Sequence, residues 1–236
     1  MMTTAETTIS TGSSGLDAIL GGGVHTGMLT DFYGESGSGK SQMCFTLCAN
    51  CVRKGSNAFF IDTSGTFRPE RIMEISQMHQ VLESITYLRA FTTIDQINAI
   101  NKILEMSPML IIVDSLTSLF STEYSGPARH LAIMSYLHKL ARLAVTTNCA
   151  VVVTNMVRNA PITVVDQAGR NVANAIVPSQ QREYLSSSVS IYSHMRIKLE
   201  ISDSTRSWFR AILMQPAVKR SAPFTISSHG ITDRLN

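Results

Sequence analysis

Eight residues, Gly34-Glu-Ser-Gly-Ser-Gly-Lys40-Ser41, restrict this chain more than anything else in it. The pattern Gly-x4-Gly-Lys-Ser/Thr needs glycines so that a loop of backbone N–H groups can wrap phosphate, and it needs a strand before the loop and a helix after it. The flanks comply, since 28–33 reads as a strand and 40 to about 54 as a helix. In such a loop Lys40 reaches the β/γ-phosphates and the Ser41 hydroxyl holds Mg²⁺ at the positive end of a helix, which implies a nucleotide polyphosphate with Mg²⁺. The nucleotide-contacting set expected here is Gly34, Glu35, Ser36, Gly37, Ser38, Gly39, Lys40 and Ser41 from the motif, with the adjacent Gln42.

The rest of the chain repeats the same alternation. A short helix is expected at 15–20, stopped by three glycines, and strands at 58–61, 86–90, 109–114 and 150–155. Helices are expected between them at 70–80, behind Pro69, and at 94–106 and 130–146. Strands joined by helices of this length imply right-handed crossovers and a mostly parallel sheet. Residues 188–200 and 207–214 alternate like antiparallel strands, so the sheet is expected to turn antiparallel at its C-terminal edge. Residues 156–186 lack periodicity, and so long a loop inside a domain is usually functional or disordered.

Of the 236 residues, 44% are hydrophobic, enough for a core without extra staples. The longest apolar runs, 109–113 and 150–153, fall far short of the roughly 20 residues of a membrane span. The first ten residues read as a polar tail, with no secretory pattern, so a cytoplasmic or nucleoid location is expected, or a nuclear one in a eukaryote. Charge is split: residues 1–125 carry a net −5 and residues 126–236 a net +8. That asymmetry fits a polyanion-binding face in the C-terminal half, although ordinary surface solvation gives smaller versions of it. Cys44, Cys48 and Cys51 fall on one face of the helix after the phosphate loop and are read as core packing, with no zinc site expected.

In order along the chain stand Ser10-Thr-Gly with Gly15-Leu-Asp17, Leu20-Gly-Gly-Gly-Val24, Thr26-Gly27, Gly39-Lys-Ser-Gln42, Ile61-Asp-Thr63, Gly65-Thr-Phe-Arg-Pro-Glu-Arg71, Val113-Asp-Ser115 and Tyr124-Ser-Gly126. Together they resemble the ATPase core of the RecA-type recombinases of archaea and eukaryotes, well over 10–155 and more loosely over 186–236. Residues 65–71 argue against a circadian-clock ATPase or a small-molecule kinase on the same fold. The resemblance implies a RecA-like P-loop NTPase of class α/β over 10–236, behind a disordered tail at 1–9. It implies that Asp114 supports the metal with Ser41. It also implies that Arg71 packs on adenine, where the plainer reading is a helix-surface charge. Two DNA-facing segments follow from it, about 121–130 and 156–186.

Two positions break the family pattern. Active members carry a glutamate at the place of Ser64 that polarises the attacking water, and loss of such a base costs about 10²- to 10⁴-fold in rate. Asp62, two residues upstream, shares a strand face with Ser64 on this reading and stands with Lys40 and Asp114 in the expected catalytic set. At Met156 active members place a glutamine that senses the γ-phosphate, and a thioether makes no such hydrogen bond. No segment resembling the helical N-terminal domain or the filament-forming Phe-x-x-Ala is found. The expectation is therefore a short paralogue, most similar to the RadB group, with eukaryotic recombinase paralogues as the nearest rival.

For DNA, Arg129, Arg158, Arg170, Asn171 and Arg182 are the candidate contacts, against the alternative of a solvated loop. The expected function is an ATP- and DNA-binding accessory protein in recombination and repair. It would partner nonspecific single-stranded or branched DNA and a full-length recombinase, with homo-oligomers possible and no membrane involved. The alternatives are a competent DNA-dependent recombinase and a nucleotide-gated scaffold that never touches DNA.

Overall fold

Three strands buried along their whole length set the centre of the fold: Leu29–Gly34, Ala58–Asp62 and Leu110–Asp114. Strands buried on both faces require cover on both sides of the sheet, and helices supply it. The computed structural model describes residues 7–160, 164–165, 171–172, 180–183, 185–203, 208–216 and 220–233.

In chain order the first elements are Thr8–Ile9 (β1), Ser14–Ile19 (α1), Val24–His25 (β2), Leu29–Gly34 (β3), Lys40–Arg53 (α2), Ala58–Asp62 (β4) and Pro69–Ser76 (α3). Ile85–Arg89 (β5), Thr93–Met106 (α4), Leu110–Asp114 (β6), Ser118–Glu123 (α5), Gly126–Thr147 (α6) and Ala150–Ala160 (β7) follow. The last third contains Val164–Val165 (β8), Asn171–Val172 (β9), Gln180–Glu183 (β10), Ser186–Tyr192 (α7), Met195–Ile201 (β11), Phe209–Gln215 (β12), Arg220–Ser227 (β13) and Gly230–Thr232 (β14). The main sheet runs β14-β13-β12-β11-β3-β7-β6-β4-β5. From β11 to β5 every neighbour is parallel, and from β11 to β14 every neighbour is antiparallel. This is the expected α/β architecture with an antiparallel C-terminal edge.

The two faces of the sheet bury separate cores. Phe32, Phe60 and Val152 pack with α2 on one face, and Leu29, Phe59, Ile61 and Val153 pack with α4 and α6 on the other. All four cysteines are buried and free, Cys44, Cys48 and Cys51 lying in the α2 core. Burial pushes the Cys51 thiol up to about 12 and those of Cys44 and Cys48 well above their ordinary value.

Several expectations are corrected. Thr8 and Ile9, expected in a disordered tail, pair with His25 and Val24, and Ile9 is buried. Helix α3 stops at Ser76 rather than 80, where Gln77 turns left-handed and its N–H closes on the Met73 carbonyl. The strand expected from 188 is helix α7 up to Tyr192, since Leu185, Val189 and Tyr192 all pack on one core, which is helical spacing. The aperiodic stretch after 155 contains strand: β7 continues to Ala160 and pairs with β10, and β8 pairs with β9.

Candidate nucleotide site

The parallel strands end together, and the site lies at their carboxyl ends, as in other open α/β sheets. In register, Gly34 on β3 stands beside Met156 on β7, and Asp62 on β4 beside Asp114 on β6. A cavity of about 310 Å³ opens there, lined by Ser36, Gly37, Gly39, Lys40, Ser41, Gln42, Ser64, Thr66, Asp114, Ser115, Met156 and Ile226.

Glycine is required at specific points of the loop. Gly37 and Gly39 take φ of +83° and +94°, and a Cβ on Gly34 would stand 2.2 Å from the Leu199 carbonyl oxygen. Lys40 Nζ donates to the carbonyls of Gly34 at 2.9 Å and Glu35 at 2.6 Å, closing the loop on itself. Ser41 Oγ donates to Asp114 Oδ2 at 2.7 Å, and Thr154 Oγ1 donates to Asp114 Oδ1 at 2.5 Å.

Electrostatically this donor set is short of compensation. Burial lowers the Lys40 ammonium from its ordinary value, against the attraction of Asp114. Burial likewise raises the Asp114 carboxyl, against the hydrogen bonds from Thr154 and Ser41. The Ser38 hydroxyl is buried with no hydrogen-bond partner. A polyphosphate against Lys40 and a divalent cation against Ser41 and Asp114 would supply the missing charges, so the residues present fit ATP and Mg²⁺.

Other expected site residues are placed differently. Asp62 is fully buried and does not line the cavity. Its Oδ1 accepts the backbone N–H groups of Ser64, Gly65 and Thr66 at 3.0, 2.7 and 3.3 Å, and its Oδ2 accepts Phe67 N–H at 3.2 Å and the Tyr87 hydroxyl at 3.3 Å. Arg89 Nη1 adds an ion pair at 3.3 Å. The carboxylate assigned to catalysis therefore organises the turn that carries Ser64. Glu35 contributes its carbonyl to Lys40 and is not part of the cavity wall.

Arg71 is held in one orientation from three sides: Nε donates to Gln42 Oε1 at 2.9 Å, Nη1 to Glu74 at 2.5 Å and to the Ser228 carbonyl at 3.2 Å, and Nη2 to the Ser227 carbonyl. It is no freely solvated charge. Thr66, Ser115 and Ile226 line the cavity without having been singled out in the sequence. Thr66 follows the turn glycine and could have been found from that motif. Ile226 arrives from β13, with nothing local to mark it.

Of the DNA candidates, Arg129 lies on α6 and is turned back on α5, its Nε donating to the Tyr124 carbonyl at 2.7 Å and Nη2 reaching the Ser121 carbonyl at 3.4 Å. The segment 121–130 is helix on both sides of a two-residue break, and Arg129 satisfies carbonyls at the end of α5. In the β7–β10 ribbon Arg158 stands directly opposite Arg182, and Asn171 stands opposite Val165. Arg170 lies outside the described residues.

A sequence model of the Rad51 family matches residues 4–234. The chain belongs to the Rad51 family. It is 37% identical over 188 residues to the DNA repair and recombination protein RadA of Cenarchaeum symbiosum (strain A), covering 72% of this chain and 47% of that protein. It is 34% identical over 244 residues to DNA repair protein RAD51 homolog B of Zea mays, covering 95% and 69%. To DNA repair protein RAD51 of Mycosarcoma maydis it is 40% identical over 168 residues, covering 63% and 50%. The Rad51-family chain thus spans about half the length of RadA and of the fungal RAD51, and about two thirds of the maize homologue. Among the described residues no helix is long and apolar enough to cross a membrane.

Proposed function

We propose that this Rad51-family chain is an ATP- and DNA-binding accessory protein of homologous recombination and DNA repair, with weak or no ATP hydrolysis and no strand exchange of its own. One observation carries the reading. The cavity wall keeps the phosphate loop, Lys40, Ser41 and Asp114, yet among the described residues that line it Asp114 is the only carboxylate, and Ser64 fills the position of the water-polarising glutamate. A hydroxyl of high pKa is no general base at neutral pH.

On this reading Lys40 and the loop N–H groups hold the phosphates, Ser41 and Asp114 hold Mg²⁺, and Arg71, immobilised by Gln42, Glu74 and two carbonyls, presents its plane to adenine. When bound, Mg²⁺ neutralises charge on the phosphate oxygens. Asp62 keeps the Ser64 turn in shape. Single-stranded or branched DNA would be bound through Arg158, Arg170, Asn171 and Arg182 by phosphate neutralisation, so the affinity is salt-dependent and nearly indifferent to sequence. The register of β7 and β10, which sets Arg158 and Arg182 at one level of the pair, supports this. The names of the relatives support repair and recombination as the setting. On this reading the protein partner is a full-length recombinase of the same family.

The test is ATP turnover with and without single-stranded DNA, in wild type, Lys40→Ala and Ser64→Glu. Expected are slow turnover that DNA does not stimulate, loss of nucleotide in Lys40→Ala and a gain in Ser64→Glu. Brisk DNA-stimulated turnover that Ser64→Glu leaves unchanged would show that another carboxylate does the chemistry and that the protein is a recombinase.

A further inference from the structure

Arg71 stands where three elements meet beside the nucleotide cavity. Its Nε donates to Gln42 Oε1 on α2 at 2.9 Å, and its Nη1 donates to Glu74 Oε2 on α3 at 2.5 Å. Where β13 turns into β14, the Ser228 carbonyl accepts from Nη1 at 3.2 Å and the Ser227 carbonyl accepts from Nη2. Gln42 is itself part of the cavity wall, and so is Ile226, the neighbour of Ser227. The Arg71 side chain keeps 17% of its surface exposed, so it is neither sealed in the core nor free in solvent.

A guanidinium has five N–H donors, all in one plane. Four of those of Arg71 are taken by protein oxygens, and at most one, on Nη2, is left. Its edges are therefore committed to its own protein, and what it offers a ligand is a flat, charged face. Faces and edges select differently. A site that hydrogen-bonds a polar edge of its substrate rejects an analogue lacking that group by about 10⁴- to 10⁵-fold, whereas stacking tolerates any base, because every base has a π-face. In the wall, Ile226 adds apolar contact. The Gln42 amide oxygen is committed to Arg71, and its amide N–H groups can donate to a ring nitrogen such as N7, which adenine and guanine both carry.

We infer that the site recognises its base by the face and not by the edge, with Gln42 as the positioning residue that sets the plane of Arg71, so that its ligand class is the purine nucleoside triphosphates and not ATP alone. The inference rests on the functional reading above, which puts the base against Arg71. Among the described partners of Arg71, Gln42 alone lines the cavity, and it follows Ser41 directly. It therefore ties the plane on which a base would lie to the loop that would hold the phosphates, while Glu74 and the two carbonyls fix the other edges of the guanidinium. A guanidinium fixed in this way is suited to stacking, which an ammonium on a flexible stem is not.

The test is calorimetric binding of ATP, GTP and inorganic tripolyphosphate, each with Mg²⁺, to the whole chain in wild type, Gln42→Ala, Gln42→Glu and Arg71→Lys. Wild type is expected to bind ATP and GTP within about tenfold of each other, and each about 5- to 150-fold more tightly than tripolyphosphate, the range for one stacked base. The ratio of ATP to tripolyphosphate affinity should fall toward one in Arg71→Lys, which keeps the charge without the plane, and should fall in Gln42→Ala. Gln42→Glu should keep the ratio, because its carboxylate still accepts from Nε while its charge weakens both ligands alike. A Gln42→Ala protein that binds both ligands more weakly at an unaltered ratio would overturn the positioning role of Gln42. A preference for ATP over GTP beyond about tenfold overturns recognition by the face. ATP bound no more tightly than tripolyphosphate overturns the whole inference and leaves the phosphate loop as a binding site. A wild type that binds none of the three overturns the functional reading as well.

Discussion

Replacing Asp62 separates a structural carboxylate from a catalytic one. The side chain is fully buried, accepts four consecutive backbone N–H groups and the Tyr87 hydroxyl, and pairs with Arg89, whose own side chain is 28% exposed. Asp62→Ala leaves those donors and one partly buried cation without their acceptor. Breaking a buried pair by removing one member costs about 3–5 kcal/mol. At about 2–4 °C per kcal/mol for a domain of this size, the melting temperature should fall by roughly 6–20 °C. Asp62→Asn keeps one acceptor oxygen and the shape while losing the charge, so a smaller loss of about 1–2 kcal/mol is expected. Thermal and urea unfolding measure the stability, and nucleotide affinity and turnover are followed on the same samples. Both variants should lose stability, with nucleotide affinity weakened only as far as the Ser64–Phe67 turn loosens. An Asp62→Asn protein with wild-type stability and abolished turnover would refute the reasoning and return Asp62 to catalysis.

Two further predictions concern pH. The Asp31 carboxyl, brought by burial from 3.8 up to about 7, keeps in the folded protein a proton that the unfolded chain gives up. Stability should therefore fall as pH rises from about 4 to about 7 and level off above, by at most about 4 kcal/mol for a gap of three pH units. Asp31→Asn should match wild type at pH 5 and equal or exceed it at pH 8, and a wild-type profile that rises over this range would refute the assignment. At Asp233, burial raises the carboxyl, but hydrogen bonds from the Ser13 and Ser14 hydroxyls and the Gly15 and Ser14 N–H groups outweigh it and bring it down to about 2. Its contribution is present above about pH 4 and is lost as pH falls through 2. Asp233→Ala, which removes acceptors from the start of α1, should cost about 1 kcal/mol at pH 7 and almost nothing at pH 2, read by urea unfolding at both.

What was legible in the sequence was whatever chemistry is local. The phosphate loop declares itself because a tight N–H cradle, a lysine and a hydroxyl must be consecutive, and Asp114 because a buried strand delivers it. The alternation of strands and helices gave the parallel sheet for the same reason. Asp62 marks the limit of this reading, because strand alternation says where a side chain points only while the strand lasts. After Asp62 the chain turns through Thr63, Ser64 and Gly65, the last at φ +76°, and folds its N–H groups back over the carboxylate. Arg129 and Arg71 carry the converse lesson. Sequence offers Arg129 as a DNA contact and Arg71 as an adenine contact, each against a plain surface charge, and each finds partners outside its own helix: the Ser121 and Tyr124 carbonyls for one, a turn more than 150 residues away for the other. Apolar spacing at α7 was short enough to read as either period.

The expected gain in Ser64→Glu follows from where that side chain starts. Ser64 Oγ lies 2.9 Å from Thr66 Oγ1, 3.4 Å from Asp62 Oδ1 and 3.5 Å from the Asp114 carbonyl, on a wall of the cavity that opens toward the phosphate loop. A glutamate there enters a space of about 310 Å³ and needs no core residue to move. Its carboxylate would stand near those of Asp62 and Asp114, and like charges raise the pKa of the newcomer. A carboxylate raised toward neutrality is a better proton acceptor than one near 4, so the surroundings that leave wild type without a base would make the introduced one effective. The recovered rate should lie within about 10²- to 10⁴-fold, the range for a positioned base. Ser64→Gln supplies the same volume and hydrogen bonding without the basicity and should recover nothing. Equal gains from Glu and Gln would mean that Ser64 limits turnover by failing to position water, and the argument from proton affinity would be wrong.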